Sequence, residues 1–413
     1  MSNKTSELCI TSLNETVLLR IFKLLNWIDS INLSATCKRM KNINFWLSKQ
    51  NEEFDFNGFV ENATVPIGNI LPVIGPYIRV AKISEQEIRE LFMVNCCNIK
   101  SLKIDGSISR SAAITLNTWL KQLKIESLSI GQTFEDHVEE LLNGIEGLRS
   151  FVFDSFQKLL PEDFFNQNTS IRHLLLILGD SQELSLDLSS LQVLHSLQSL
   201  SITTERTTVL IDVRKYVKIE QLQEFSINIL DDNWDACIWD DFATYLAENS
   251  KVDKLRMNGC IDIDHRTCST LNSFNLKSLW LDVSVSWEDF TSSFRESAMP
   301  RLKYLRLEWP ISWCRTEKIG RILDIWPTVE AICLNVQEGS SNLIMHFKDE
   351  FYADLLKRYD NRPGSSELRI HIFSSEISFN FVSKRYNVIE GKECCSCKES
   401  FQLWDDDRVK CNL

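Results

Sequence analysis

The chain has 413 residues, 44 % hydrophobic and 25 % charged. That composition excludes large-scale disorder and leaves room for two to four ordinary domains. The net charge of −12 is unevenly placed: residues 1–50 hold seven Lys/Arg against three Asp/Glu, so the remainder carries −16. A body this acidic argues against a nucleic-acid backbone as the main ligand and is compatible with a basic protein partner. No apolar run reaches the roughly 18 residues a membrane span needs, and Met1 to Glu7 lacks the apolar core of a secretory signal. The expectation is a cytoplasmic or nuclear protein whose 13 cysteines are reduced thiols.

Residues 13–25 carry two adjacent apolar rows at helical spacing, Val17, Ile21, Leu24 and Leu18, Phe22, Leu25. Asn14 serves as N-cap with Leu13 stapled on Leu18, or Ser12 caps with Glu15 three residues on. After Trp27-Ile28-Asp29, a second helix places Leu33, Cys37 and Met40 inward and Lys38, Arg39 and Lys41 outward. So small a helical unit cannot hide this apolar surface alone and must share it with a partner or with the rest of the chain.

The order Leu13-Asn14-Glu15-Thr16, then Leu18, Ile21, Phe22 and Leu25, then Cys37-Lys38-Arg39 with Trp46 beyond, resembles an F-box. It departs from the family at Asn14, where Pro is usual, and at Met40, where an aromatic is common. The resemblance implies a small three-helix F-box that docks on a Skp-type adaptor and through it on a cullin ubiquitin ligase. By position, the implied adaptor contacts are Leu13, Asn14, Leu18, Ile21, Phe22 and Leu25. Without the resemblance, the same helices read as a cap over the edge of the repeats that follow.

Six-residue units with apolar residues at positions 1, 4 and 6 then recur at a near-constant interval. They are Ile99/Leu102/Ile104, Ile125/Leu128/Ile130, Leu148/Phe151/Phe153, Ile171/Leu174/Leu176, Leu197/Leu200/Ile202, Leu222/Phe225/Ile227, Val252/Leu255/Met257, Leu276/Leu279/Leu281, Leu302/Leu305/Leu307 and Val329/Ile332/Leu334. Ile78/Ala81/Ile83 is a weaker leading copy. Positions 4 and 6 share one face of a strand. Between strands, Leu116/Leu120/Leu123, Val138/Leu142/Ile145 and Ile319/Ile322/Leu323/Trp326 make helical stripes. One strand and one helix in so short a unit cannot bury both apolar faces, so stacking is required.

The pattern resembles the leucine-rich-repeat family, and one copy keeps its small polar residue after the strand, at Cys260. The resemblance implies an α/β solenoid, a right-handed β-α horseshoe, with the strands lining its concave face. The expected organisation is an F-box-like domain over residues 1–55, a linker and leading repeat over 56–98, degenerate repeats over 99–360, and a C-terminal hairpin cap with a Cys-containing tail over 361–413.

The residue between positions 4 and 6 faces away from the core. That column runs Lys103, Ser129, Val152, Leu175, Ser201, Ser226, Arg256, Trp280, Arg306, Cys333. It turns aromatic and basic late, with Tyr304, Asp282 and Glu308 beside it. Trp, Tyr and Arg dominate binding energy at interfaces, so Arg256, Trp280, Tyr304 and Arg306 are the candidate protein-substrate site. Residues 231–241 hold Trp234 and Trp239 among five acids, which read as a protruding contact loop or as a helix N-terminus whose Trp side chains pack.

Beyond the break at Arg362-Pro363-Gly364, Ile370/Ile372 and Ile377/Phe379/Phe381 alternate as two strands that close the last repeat edge. Cys394 and Cys397 have the gap of a zinc knuckle, but no second pair or nearby His completes it; the tail reads as reduced thiols, with a site built from Cys394, Cys395, Cys397 and Cys411 as the alternative, and no metal or cofactor is expected. The six histidines are scattered, and neither a phosphate loop nor a nucleophile elbow is present. The expectation is not an enzyme but a binding subunit. In the implied complex it is a substrate adaptor that raises the effective concentration of its target near chemistry done by others.

Overall fold

In the computed structural model, every residue at positions 1, 4 and 6 of the ten copies is buried, none more than 7 % exposed. The structure describes residues 13–35, 53–56, 58–59, 66–83, 94–106, 108–131, 137–154, 160–178, 188–230, 234–285, 287–294, 299–309, 316–336, 369–373, 378–382 and 385–388. They fall in two compact units, 1–194 and 195–413.

The first unit begins with helices α1 (Glu15–Leu24) and α2 (Trp27–Ala35). Asn14 is the cap: its side chain accepts from the Val17 amide at 2.9 Å. Asn14→Ala should lower stability by about 1 kcal/mol in thermal or urea unfolding, with Asn14→Ser restoring most of it. Leu18, Phe22, Trp27 and Ile31 are buried, and Trp27 meets Phe54 edge-on with ring centroids 5.3 Å apart. The apolar surface of the helices is therefore shared in part with the strand that follows them.

That strand, β1 (Glu53–Asp55), pairs in parallel with β2 (Val80–Ile83), which is the weak leading copy; α3 (Ile67–Ile74) lies between them in the chain. Next come β3 (Ser101–Ile104), α4 (Arg110–Gln122), β4 (Ser127–Ile130), α5 (Val138–Leu142), β5 (Ser150–Asp154), α6 (Phe164–Gln167) and β6 (His173–Leu178). All these strands pair in parallel in sequence order. The long step from Ile99 to Ile125 holds a 13-residue helix, while the shorter steps to Leu148 and on to Ile171 hold helices of only five and four residues. Buried asparagines tie one turn to the next. Asn117 donates to the Leu141 and Asn143 carbonyls at 2.6 and 2.9 Å; Asn168 donates to the Ile145 and Phe164 carbonyls and accepts from the Leu148 amide.

The second unit runs β7 (Ser199–Thr204), α7 (Val209–Tyr216), β8 (Glu224–Ile229), α8 (Ala236–Asn249), β9 (Lys254–Ile263), α9 (His265–Leu271), β10 (Ser278–Val285), α10 (Trp287–Ser293), β11 (Tyr304–Trp309), α11 (Thr316–Ile325) and β12 (Ala331–Val336). Its strands are again parallel neighbours in chain order. β13 (Arg369–Phe373) adds one more parallel strand; β14 (Ser378–Val382) and β15 (Arg385–Val388) follow antiparallel, so the C-terminal hairpin is present with a third strand beyond it. The longest repeat step, from Leu222 to Val252, accommodates the 14-residue α8. Asp235 caps that helix, accepting from the Cys237 and Ile238 amides, while Trp239 is buried against Trp234. Of the two readings of this segment, helix N-terminus with packed Trp holds for the described residues 234–241; 231–233 lie outside them.

Both units are thus built of parallel strand–helix repeats. Strand core residues meet helix residues, as in Phe151 on Phe164 and Phe225 on Phe242, with centroids 4.6 and 5.2 Å apart. Among the described residues no helix is long and apolar enough to cross a membrane.

Candidate functional site

Parallel pairing that keeps register through these positions, shifting only beyond Asp282 on β10, places the position-5 residues of neighbouring repeats side by side. In the second unit Ser201 aligns with Ser226, Ser226 with Arg256, Arg256 with Trp280, Trp280 with Arg306, and Arg306 with Cys333. Alternation turns this row to the face opposite the helices. The sequence-read candidates Arg256, Trp280 and Arg306 are therefore brought together in space.

What joins them is stacking. The Arg256 Cζ lies 3.8 Å from the Trp280 ring centroid and the Arg306 Cζ 3.7 Å. Two guanidiniums at that distance cannot share one face of an indole without overlapping, so they cover opposite faces, each supplied by the strand on its own side of β10. Each contact is attractive through the ring quadrupole, by about 0.5–2 kcal/mol. Trp280 is only 3 % exposed in consequence. It is a platform and not a contact surface, and the two half-buried arginines form the accessible part. Tyr304, half-buried, aligns with the buried Ser278 and Ala331 one step away in the same face. Lys254, two residues before Arg256, adds a third cation there, registered with the buried Glu224. The Asp282 and Glu308 side chains lie outside the described set.

The rest of that face differs from strand to strand. On β7 and β8 the outward Ser199, Ser201, Thr203, Glu224, Ser226 and Asn228 are buried as fully as the core. Cys333, at the end of the Arg–Trp–Arg row, is disulfide-bonded, which corrects the expectation of thiols throughout; Cys96, Cys97, Cys237, Cys260 and Cys268 remain thiols. Burial and the neighbouring Cys97 push the Cys96 thiol up to about 12, so it stays protonated at neutral pH. In the first unit, the corresponding row joins Asp55, Lys82 and Lys103 in register, and the Lys82 ammonium bridges Asp55 and Asp105 at 3.5 and 3.3 Å. Sequence reading missed the start of this row because β1 offers one apolar residue, Phe54, and no periodicity.

On α1 the structure separates the two apolar rows. Leu18 and Phe22 are fully buried, while Leu13, Ile21 and Leu25 are half-buried and Asn14 is exposed. The outward row carries Val17 at 38 % and Leu24 at 88 % exposure. Residues 36–50, with Cys37, Lys38, Arg39, Met40 and Trp46, lie outside the described residues, as do Cys394, Cys397 and Cys411. Among the described residues no group of His, Cys, Asp or Glu is placed to hold a metal ion.

No family model matches the sequence, and no curated protein matches it significantly. Solved structures with similarity include an internalin from Listeria monocytogenes, at 14 % identity over 66 % of this chain and 72 % of that one, with a TM-score of 0.34. A Bacteroides fragilis protein follows at 13 % identity, 66 % and 72 % coverage and a TM-score of 0.32. The TLR13–ssRNA13 complex gives 12 % identity, 63 % and 49 % coverage and a TM-score of 0.33. Likeness at this level carries no argument about what the chain binds.

Proposed function

We propose that this chain is the substrate-recognition subunit of a Skp-cullin-F-box ubiquitin ligase, with no catalytic chemistry of its own. Its N-terminal helices hold the adaptor, and the Arg256–Trp280–Arg306 face, with Tyr304, holds the protein substrate. The observation that carries the adaptor half is the pairing of the F-box-like residue order with an outward apolar row on α1. Val17 and Leu24 are left exposed while the neighbouring row anchors the helix. Exposed apolar side chains concentrated on one helix face mark an interaction surface better than singly scattered ones do.

The burial of Leu18 and Phe22 decides which variants are informative. An acidic residue at either position would place an unpaired charge in the core and disturb the fold. Val17→Asp/Leu24→Asp adds charge only at the exposed row. In a pull-down with purified Skp-type adaptor, wild type should be retained and this double variant lost, with the circular dichroism of both unchanged. Absence of adaptor capture by wild type would sink the reading. The same burial favours one second reading, a protein-binding scaffold in which α1 and α2 cap the first repeat edge without recruiting a ligase. It is separated from the first by that pull-down.

A further inference from the structure

We infer that the Arg256–Trp280–Arg306 stack recognises acidic peptide segments in extended conformation, with carboxylates two residues apart. This rests on the reading that this face is the substrate surface and names the class of segment it takes. The geometry is the argument. With one guanidinium on each face of the indole, at 3.8 and 3.7 Å from its centroid, the two charges stand about 7.5 Å apart. Carboxylates at i and i+2 of an extended chain project to the same side and repeat at roughly 6.8 Å. A strand laid across β9, β10 and β11 therefore meets one arginine with each acidic side chain.

Stacking also prepares the arginines for this task. It engages their flat faces, and the five N–H groups of each guanidinium lie in its plane, where a carboxylate takes two in a fork. Whatever other bonds the remaining N–H groups make, the fork geometry is held in advance, so less side-chain freedom is lost on binding. The surrounding chain is acidic, −16 outside the first 50 residues, and that long-range field disfavours indiscriminate polyanion binding. It leaves spacing as the basis of choice.

The test uses the full-length chain and labelled twelve-residue peptides in fluorescence anisotropy. One peptide alternates Ser and Glu, one of equal charge repeats Glu-Glu-Ser-Ser and has no i, i+2 acidic pair, and one alternates Ser and Lys. The alternating acidic peptide should bind at least about tenfold tighter than the paired one, with no binding of the lysine peptide. Arg256→Gln/Arg306→Gln should lose about tenfold or more, Arg306→Lys most of the same, and Trp280→Leu should weaken binding while remaining folded by circular dichroism. Equal affinity for the two acidic peptides, or undiminished binding by the double Gln variant, would overturn the inference. Adaptor capture, measured on the same proteins, separates the two proposals. Peptide binding without adaptor capture removes the ligase reading alone, and adaptor capture without peptide selectivity removes this one alone.

Discussion

Gly259→Ala is expected to cost the second unit at least about 3 kcal/mol, enough to unfold it in part at moderate temperature. Gly259 sits in β9 at φ +92, a backbone conformation that L side chains rarely adopt. A Cβ there would lie far inside van der Waals contact with the Ile229 carbonyl oxygen, on the strand with which Gly259 is registered, and 2.7 Å from Asn228 Oδ1. The nearer obstacle is backbone of the neighbouring strand, not the loose end of a flexible side chain. Relief requires parting β8 from β9 next to the Arg256 position. Gly147→Ala is the control, because Gly147 has φ +80 but nothing within 4 Å of its added Cβ. It should lose only about 1–2 kcal/mol, the conformational part. Urea midpoints for the two variants check the difference; equal losses would show that the close approach to Ile229 is not what demands glycine.

Asn168→Ala is the second large effect. Asn168 is fully buried, donates to the Ile145 carbonyl at 2.8 Å and the Phe164 carbonyl at 2.9 Å, and accepts from the Leu148 amide at 3.1 Å. Truncation strands three backbone groups where water does not reach. At about 1–3 kcal/mol for each orphaned group, less whatever relaxation recovers, the expected loss is about 3–5 kcal/mol. Asn168→Asp keeps an acceptor for Leu148 but sets a charge against two carbonyl oxygens and should be no better. The local readout is hydrogen exchange at the Leu148 amide, which should accelerate in both variants. A loss under about 1 kcal/mol with unchanged exchange would mean that the packing of α6, and not its asparagine, joins these two repeats.

Both predictions fall on residues that sequence reading passed over. The small polar residue that the repeat resemblance places after the strand occurs once, at Cys260, and that residue is exposed. The buried asparagines, Asn117 and Asn168, lie on the helical side of the repeat instead. Nothing in a one-dimensional pattern distinguishes a solvated Asn from one that stitches two turns, because its partners include main-chain groups of a different repeat, Leu141 for Asn117 and Ile145 for Asn168. Gly259 is hidden for the same reason: its need arises from the carbonyl of another strand. Cys37 to Met40, which the sequence reading assigned to the second helix, and the Cys394/Cys397 tail lie outside the described residues.

The sequence by itself determined which residues form the core of each repeat, because a strand buries alternate side chains and the spacing of Leu, Ile, Val and Phe records that directly. It also determined that Arg256, Trp280 and Arg306 share one row, since equal positions in stacked parallel strands must align. Only the tertiary structure decided what that row is. Trp280 is enclosed between two arginines, and the charge, not the ring, meets the solvent. Likewise, helical periodicity on α1 shows two adjacent apolar rows and has no means of ranking them. The docking of Trp27 on Phe54, a contact between segments well separated in the chain, accompanies burial of Leu18 and Phe22 and leaves Val17 and Leu24 outward. Local spacing settles which side chains share a face; which face is covered depends on where distant segments pack, and that is a property of the whole fold.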